Sequence, residues 1–173
     1  MTKPRVTKLR VTQPRPKPTR VAADRLRVGV TGEGVRSPVA GARLADAVRS
    51  VLRAERVQEA MVSVTLLTAP AMARLNRRHL AHAGATDVIS FGFAPVPGAG
   101  VVGDIYLCPD VARASARTAG CGVREELLRL TVHGTLHVLG WDHPDDAARV
   151  ASPMWKRQER LLAALVRRHA ARS

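Results

Sequence analysis

Aromatic residues make up only 3% of the 173 positions, which argues against the stacked Phe/Tyr/Trp platforms on which single strands spread their bases. Two cysteines, Cys108 and Cys121, are too few for a disulfide framework and form no C-x-x-C pair, so both are expected to be reduced, buried thiols. Hydrophobic residues reach 46%, yet each apolar run is soon broken by Arg, Thr or His. The ~20 consecutive apolar residues that span a bilayer are missing, so a soluble chain with no membrane partner is expected. Residues 1–27 lack the apolar h-region of a secretory signal, and their prolines argue against an amphipathic transit helix, which makes the cytoplasm the expected location. One core is enough at this length, because a domain of ~150 residues already buries roughly 70% of its unfolded surface. A monomer is expected.

Acid is also scarce. Fourteen Asp and Glu stand against 28 Lys and Arg, a formal charge of +14. Residues 1–27 hold nine Lys/Arg against Asp24 alone, so over half the excess lies there. With Pro4, Pro14, Pro16 and Pro18 and no apolar periodicity, residues 1–24 read as a basic, proline-rich flexible arm, and residues 25–170 as the folded domain. Such an arm suits a polyanion, and any nucleic-acid contact should be mostly to phosphate and steeply salt-dependent. A charge run that merely keeps the protein soluble is the plainer alternative.

Along the domain, Leu26 to Thr31 alternates as a short strand. GVTGEG (29–34) matches neither a P-loop nor G-x-G-x-x-G and reads as a turn. Residues 38–54 place Val39, Leu44, Val48, Val51 and Leu52 on one helical face, with Ser37 as N-cap ahead of Pro38. Strands are expected over 61–68, 87–93 and 101–108, with a helix from Pro70 to about Leu80 and a loop over 95–100. Pro109 opens a helix stopped at Gly120-Cys121-Gly122. Val123 to Leu139 is a helix apolar on more than one face, and therefore central, with Glu125 and Glu126 in its first turn. A basic helix over roughly 152–170 closes the chain. Strands interleaved with helices give one α+β domain with features of α/β, about four strands in a mixed sheet packed with helices around a central metal-binding helix.

HGTLHVLGWDH (133–143) carries the chemistry. His133 and His137, one turn apart on a helix, aim their imidazoles at a common point, and Gly140, free to adopt positive φ, reverses the chain so that His143 joins them. Three neutral nitrogen ligands leave the fourth corner of a Zn2+ site for a zinc-bound water, as in catalytic rather than structural sites. Binding should weaken as pH falls toward the histidine pKa of ~6.5. The spacing is that of H-E-x-x-H-x-x-G-x-x-H metalloproteases, but Gly134 stands where their general base would be. That disfavours peptide hydrolysis. A phosphodiester makes a lesser demand, since a metal polarises the phosphoryl oxygen and activates its own water or a ribose 2′-OH.

The same eleven residues closely resemble the H-G-x-L-H-L-x-G-[YW]-D-H signature of the YbeY endoribonuclease, or rRNA maturation factor, family. LN at 75–76, TDVISF at 86–91, GDIYLC at 103–108 and MWKRQERLL at 154–162 are similar to that family's other blocks in order and spacing. The resemblance covers roughly residues 60–165. It implies a four-stranded sheet with helices around it and one Zn2+ on His133, His137 and His143. It also implies single-strand-specific RNA cleavage in late 16S rRNA 3′ maturation and ribosome quality control, with rRNA, the small subunit and ribosome-associated proteins as partners.

One departure matters. The family writes L-N-x-x-Y-R before T-D-V-L-S-F and uses its arginine functionally, whereas here His79 and Leu80 occupy those two places. On a helix Arg77 lies about 60° from Leu80, so Arg77 is the expected phosphate contact and Arg78 points elsewhere. The alternative is an RNA- or ribosome-binding module with a largely structural zinc and weak or no nuclease activity. Asp142 is expected either to accept an imidazole N–H or to cap its turn. Asp87 and Asp104 are expected to shape the cleft or to make strand-end hydrogen bonds. Met154 is similar in placement to the methionine beneath protease zinc sites, but a core role suits it better.

Overall fold

Apolar alternation builds four strands: Leu26–Thr31 (β1), Ala60–Leu66 (β2), Val88–Gly92 (β3) and Val101–Leu107 (β4). The structure is a computed structural model that describes residues 25–32, 34–80, 83–94 and 100–171, the Leu80 side chain excepted. The arm expected over 1–24, His82 and the 95–99 part of the expected loop lie outside the described residues. The sheet order is β1-β2-β4-β3, with β1, β2 and β4 parallel and β3 antiparallel to β4. Parallel neighbours need crossovers, and helices supply them.

The helices are Gly41–Ala54 (α1), Ala69–Leu80 (α2), Pro109–Ala119 (α3), Val123–Val138 (α4) and Pro153–Ala170 (α5). α1 lays Leu44, Val48, Val51 and Leu52 into the main core and turns Arg43 and Arg53 outward. α4 is buried along most of its length, packed against β3, β4, α1, α3 and α5. That burial is why its apolar residues go all round. On the other side of the sheet, α2 packs Met72 into a smaller cluster with Ile89, Cys108, Phe91 and Tyr106. Strand alternation explains the division: Ile105 and Leu107 face α4, whereas Asp104 and Tyr106 face the other way.

Several boundaries depart from the sequence reading. α1 begins at Gly41, three residues after Pro38, because the Ser37 hydroxyl accepts the Val39 N–H at 3.1 Å in a local turn rather than capping a helix at Pro38. The expected cap occurs instead at α5, where Ser152 accepts the Trp155 N–H at 3.1 Å ahead of Pro153. A 3-10 turn at Ala147–Ala151, absent from the sequence reading, is capped by Asp146. Cys108 is buried as expected, but Cys121 is only half-buried, beside Glu126 and Arg129. No helix among the described residues is long and apolar enough to cross a membrane.

Candidate metal centre

α4 delivers His133 and His137 from consecutive turns on one face. The helix then closes in a Schellman motif: the Gly140 N–H donates to His137 O at 2.9 Å and the Trp141 N–H to Leu136 O at 3.0 Å, with Gly140 at φ +84°. An L side chain at that φ is strained, so the glycine permits the reversal that brings His143 back over the helix end.

The three imidazoles meet through their Nε2 atoms. His133–His137 is 3.1 Å, His137–His143 is 3.3 Å and His143–His133 is 3.5 Å. Ligands about 2.0–2.1 Å from a tetrahedral zinc stand about 3.3 Å apart along each edge of the tetrahedron. The triangle therefore already has the size of a zinc face.

Tautomers decide whether those nitrogens repel or attract a cation. Gln158 Oε1 lies 2.8 Å from His133 Nδ1, and its Nε2 donates to Glu159 Oε1 at 2.9 Å. The carboxamide is thereby oriented with its oxygen toward His133, so Nδ1 carries the proton and Nε2 presents a lone pair. The Pro144 carbonyl, 2.9 Å from His143 Nδ1, does the same for His143, and the Trp141 backbone hydrogen-bonds His137. Lone pairs at 3.1–3.5 Å repel one another unless a cation sits between them, so the donor set fits a divalent metal. Among the described residues the group able to hold one consists of these three histidines.

Burial, ahead of the mutual charges, holds His133 at a pKa of about 4, with the Gln158 bond acting in the opposite sense. Burial and then the charge of His143 lower His137. Both rings are neutral at pH 7, the form a metal requires.

The triad faces an open cavity of about 970 Å³ between α4, the start of α5, the residue 86–90 edge and the chain after Gly140. Two arginines line it. Arg129 is fully engaged, with Glu126 at 2.6 Å, Glu125 at 2.8 Å and Glu159 at 3.2 Å, and through Glu159 and Gln158 it braces His133. Arg149, on the 3-10 turn, has its Cζ 5.2 Å from the Trp155 ring centroid.

The other sequence-derived candidates fall in different places. Asp142 accepts the His143 backbone N–H at 2.8 Å, so it shapes the turn while lining the cavity. Asp87 lines the cavity but is held by the Thr86 and Ser115 hydroxyls at 3.3 and 3.2 Å. Asp104 is not at the cleft: it bonds Ser63 on the sheet face away from α4, because strand alternation turns it from Ile105. Arg77 is exposed in the last turn of α2 and is not among the residues lining the cavity. The reason is that α2 packs through Met72 on the opposite side of the sheet, and His79 meets Phe91 edge-on there at 5.4 Å. Met154 is a core residue.

Gly134, where a protease has its glutamate, faces the sheet. A Cβ there would lie 2.9 Å from Ile105 Cγ2. The helix needs a glycine to sit this close to β4, and a carboxylate would enter the core.

Gln158, Trp155 and Arg149 escaped the sequence reading. Gln158 had a signal: it interrupts the apolar stripe Met154, Leu162, Leu165 of α5, and a polar group so placed is buried and must find a partner.

The chain is similar to several known proteins. The family profile described as Endoribonuclease YbeY matches residues 35–166. An Endoribonuclease YbeY of Beutenbergia cavernae is 47% identical over 98 residues, 51% of this chain and 65% of that protein. One from Nocardioides sp. is 39% identical over 131 residues, 70% of this chain and 87% of that protein, and one from Frankia casuarinae is 40% identical over 150 residues, 79% and 73%. The solution structure of a Thermotoga maritima protein shares the fold, with a TM-score of 0.56 at 24% identity over 84% of this chain and 93% of that one.

Proposed function

The chain belongs to the YbeY endoribonuclease family, and from that premise we propose that it is a zinc-dependent endoribonuclease cutting single-stranded RNA in late 16S rRNA 3′ maturation and ribosome quality control. The observation that carries the reading is the triangle of Nε2 atoms, of zinc-face dimensions, on the wall of an open cavity. His133, His137 and His143 would hold the metal. Bound there, zinc supplies Lewis acidity toward a phosphoryl oxygen and lowers the pKa of water.

The chain's own residues do the rest. Gln158 and the Pro144 carbonyl keep the Nδ1 protons of His133 and His143 on the far side of the rings, so that Nε2 stays a donor to metal. The Arg129 cluster fixes Glu159 and, through it, the Gln158 carboxamide. Gly134 supplies no carboxylate at the place where the protease motif has its glutamate, which suits phosphodiester cleavage better than peptide hydrolysis.

The same proposal has the chain act as a cytoplasmic monomer at the small ribosomal subunit. Leu80, at the family's arginine position, favours a second reading in which RNA binding outlasts cleavage. Incubating the metal-stripped and zinc-repleted chain with precursor 16S rRNA, then mapping 3′ ends, separates them. Zinc-dependent shortening supports the nuclease, whereas binding without shortening supports the second reading.

A further inference from the structure

We propose that Arg149 binds the RNA phosphodiester at this metal centre. The inference rests on the endoribonuclease reading and assigns to it a substrate-binding residue. Three observations carry it.

First, Arg149 lines the cavity onto which His133, His137 and His143 open. Its backbone is fixed: its N–H donates to Asp146 O at 3.0 Å and its carbonyl accepts the Ser152 N–H at 3.0 Å. Asp146 caps the turn through the Ala148 N–H at 2.9 Å, and Ser152 caps α5. The guanidinium therefore projects from a pinned segment.

Second, it is uncommitted. The other cavity arginine, Arg129, is matched by Glu125, Glu126 and Glu159, whereas Arg149 has no carboxylate partner among the described residues. Its Nε is buried without a hydrogen-bond acceptor. A buried donor left unpaired costs stability and is explained when a ligand or water completes it. Together with an Nη, Nε forms the edge that grips two oxygens of one phosphate.

Third, the side chain is orientated in advance. The guanidinium lies over the Trp155 ring, its Cζ 5.2 Å from the centroid, and that contact restrains its rotamers. A phosphate drawn to Arg149 lies in the cavity onto which the triad opens.

The test uses the full zinc-loaded chain with Arg149→Ala, Arg149→Lys and, as a charge-matched control on the outer face of α1, Arg53→Ala. A labelled single-stranded RNA dodecamer reports binding by anisotropy across salt concentrations and cleavage by gel, and zinc content is measured in each protein. Arg149→Ala should lose on the order of 10- to 100-fold in kcat/KM, as expected for a charged hydrogen bond, with zinc content unchanged. Its salt-dependence slope should shrink by about 0.7, the contribution of one single-strand phosphate contact. Arg149→Lys should restore the slope but only part of kcat/KM, because it keeps the charge and loses the fork. If Arg149→Ala matches Arg53→Ala in slope and cleavage while the parent cleaves, or if it loses its zinc, the assignment to Arg149 is wrong. A zinc-loaded parent that neither binds nor cleaves the RNA overturns the endoribonuclease reading itself.

Discussion

The Gln158 carboxamide oxygen accepts the Nδ1–H of His133 at 2.8 Å across the α4–α5 interface, and its nitrogen is anchored on Glu159. A residue 25 positions away along the chain thus decides which nitrogen of His133 faces the other ligands. Gln158→Leu removes the acceptor but keeps the bulk. Zinc affinity, measured by chelator competition, should fall about 10- to 100-fold, the usual cost of losing such an outer partner. Unchanged affinity would mean that ring orientation is set by packing alone.

Gly134 makes a steric prediction. Alanine in place of a helical glycine ordinarily gains about 1 kcal/mol, but here the new Cβ meets Ile105, and overpacking typically costs about 1–3 kcal/mol. Gly134→Ala should therefore come out neutral to destabilising in urea unfolding. Gly134→Glu, which recreates the protease motif on paper, should unfold far more readily and show no cleavage of casein. A stable, proteolytic Gly134→Glu would contradict the packing.

The histidine pKa values fix a pH window for the metal-free chain. Above the ordinary histidine value of 6.5, His133 is neutral in both the folded and unfolded states, so its shift has no effect on stability. As pH falls from 6.5 to about 4, the unfolded chain takes up a proton that folded His133 refuses, and stability drops through that window. The full shift corresponds to roughly 3 kcal/mol. His137, lowered for the same reason of burial, acts in the same direction. Denaturant midpoints of the chelator-treated chain should fall steadily from pH 7 to pH 4.5, and zinc should raise the midpoint at pH 7. A midpoint flat over that range would show that neither ring is shielded from protonation.

How much of this was legible in the sequence depends on the range over which each feature is determined. His133, His137 and Gly140 lie within three helical turns, so spacing alone located the convergence, and the structure shows the reversal at Gly140 that the glycine suggested. Where Arg77, the expected phosphate contact, lies relative to the cavity was hidden for the opposite reason. Its helical angle could be computed, but which side of the sheet α2 covers is decided by Met72, Phe91 and Tyr106 meeting from three different elements. Asp104 was likewise placed on the correct strand, while the face turned toward α4 depended on the packing of Ile105 against that helix. Arg149 sits on a 3-10 turn with no periodicity to read, and its value comes from Trp155 six residues later.

The most direct measurement is a titration of zinc into the metal-stripped chain, following cleavage of a single-stranded RNA, alongside His137→Ala. His137 is half-buried on the cavity wall, so the variant should keep the parent's circular dichroism. Cleavage by the parent should rise in proportion to added zinc and level off at one equivalent, while His137→Ala stays flat. Cleavage that is already maximal without zinc, or that survives His137→Ala at one equivalent, would contradict the assignment of the three histidines as the working metal site.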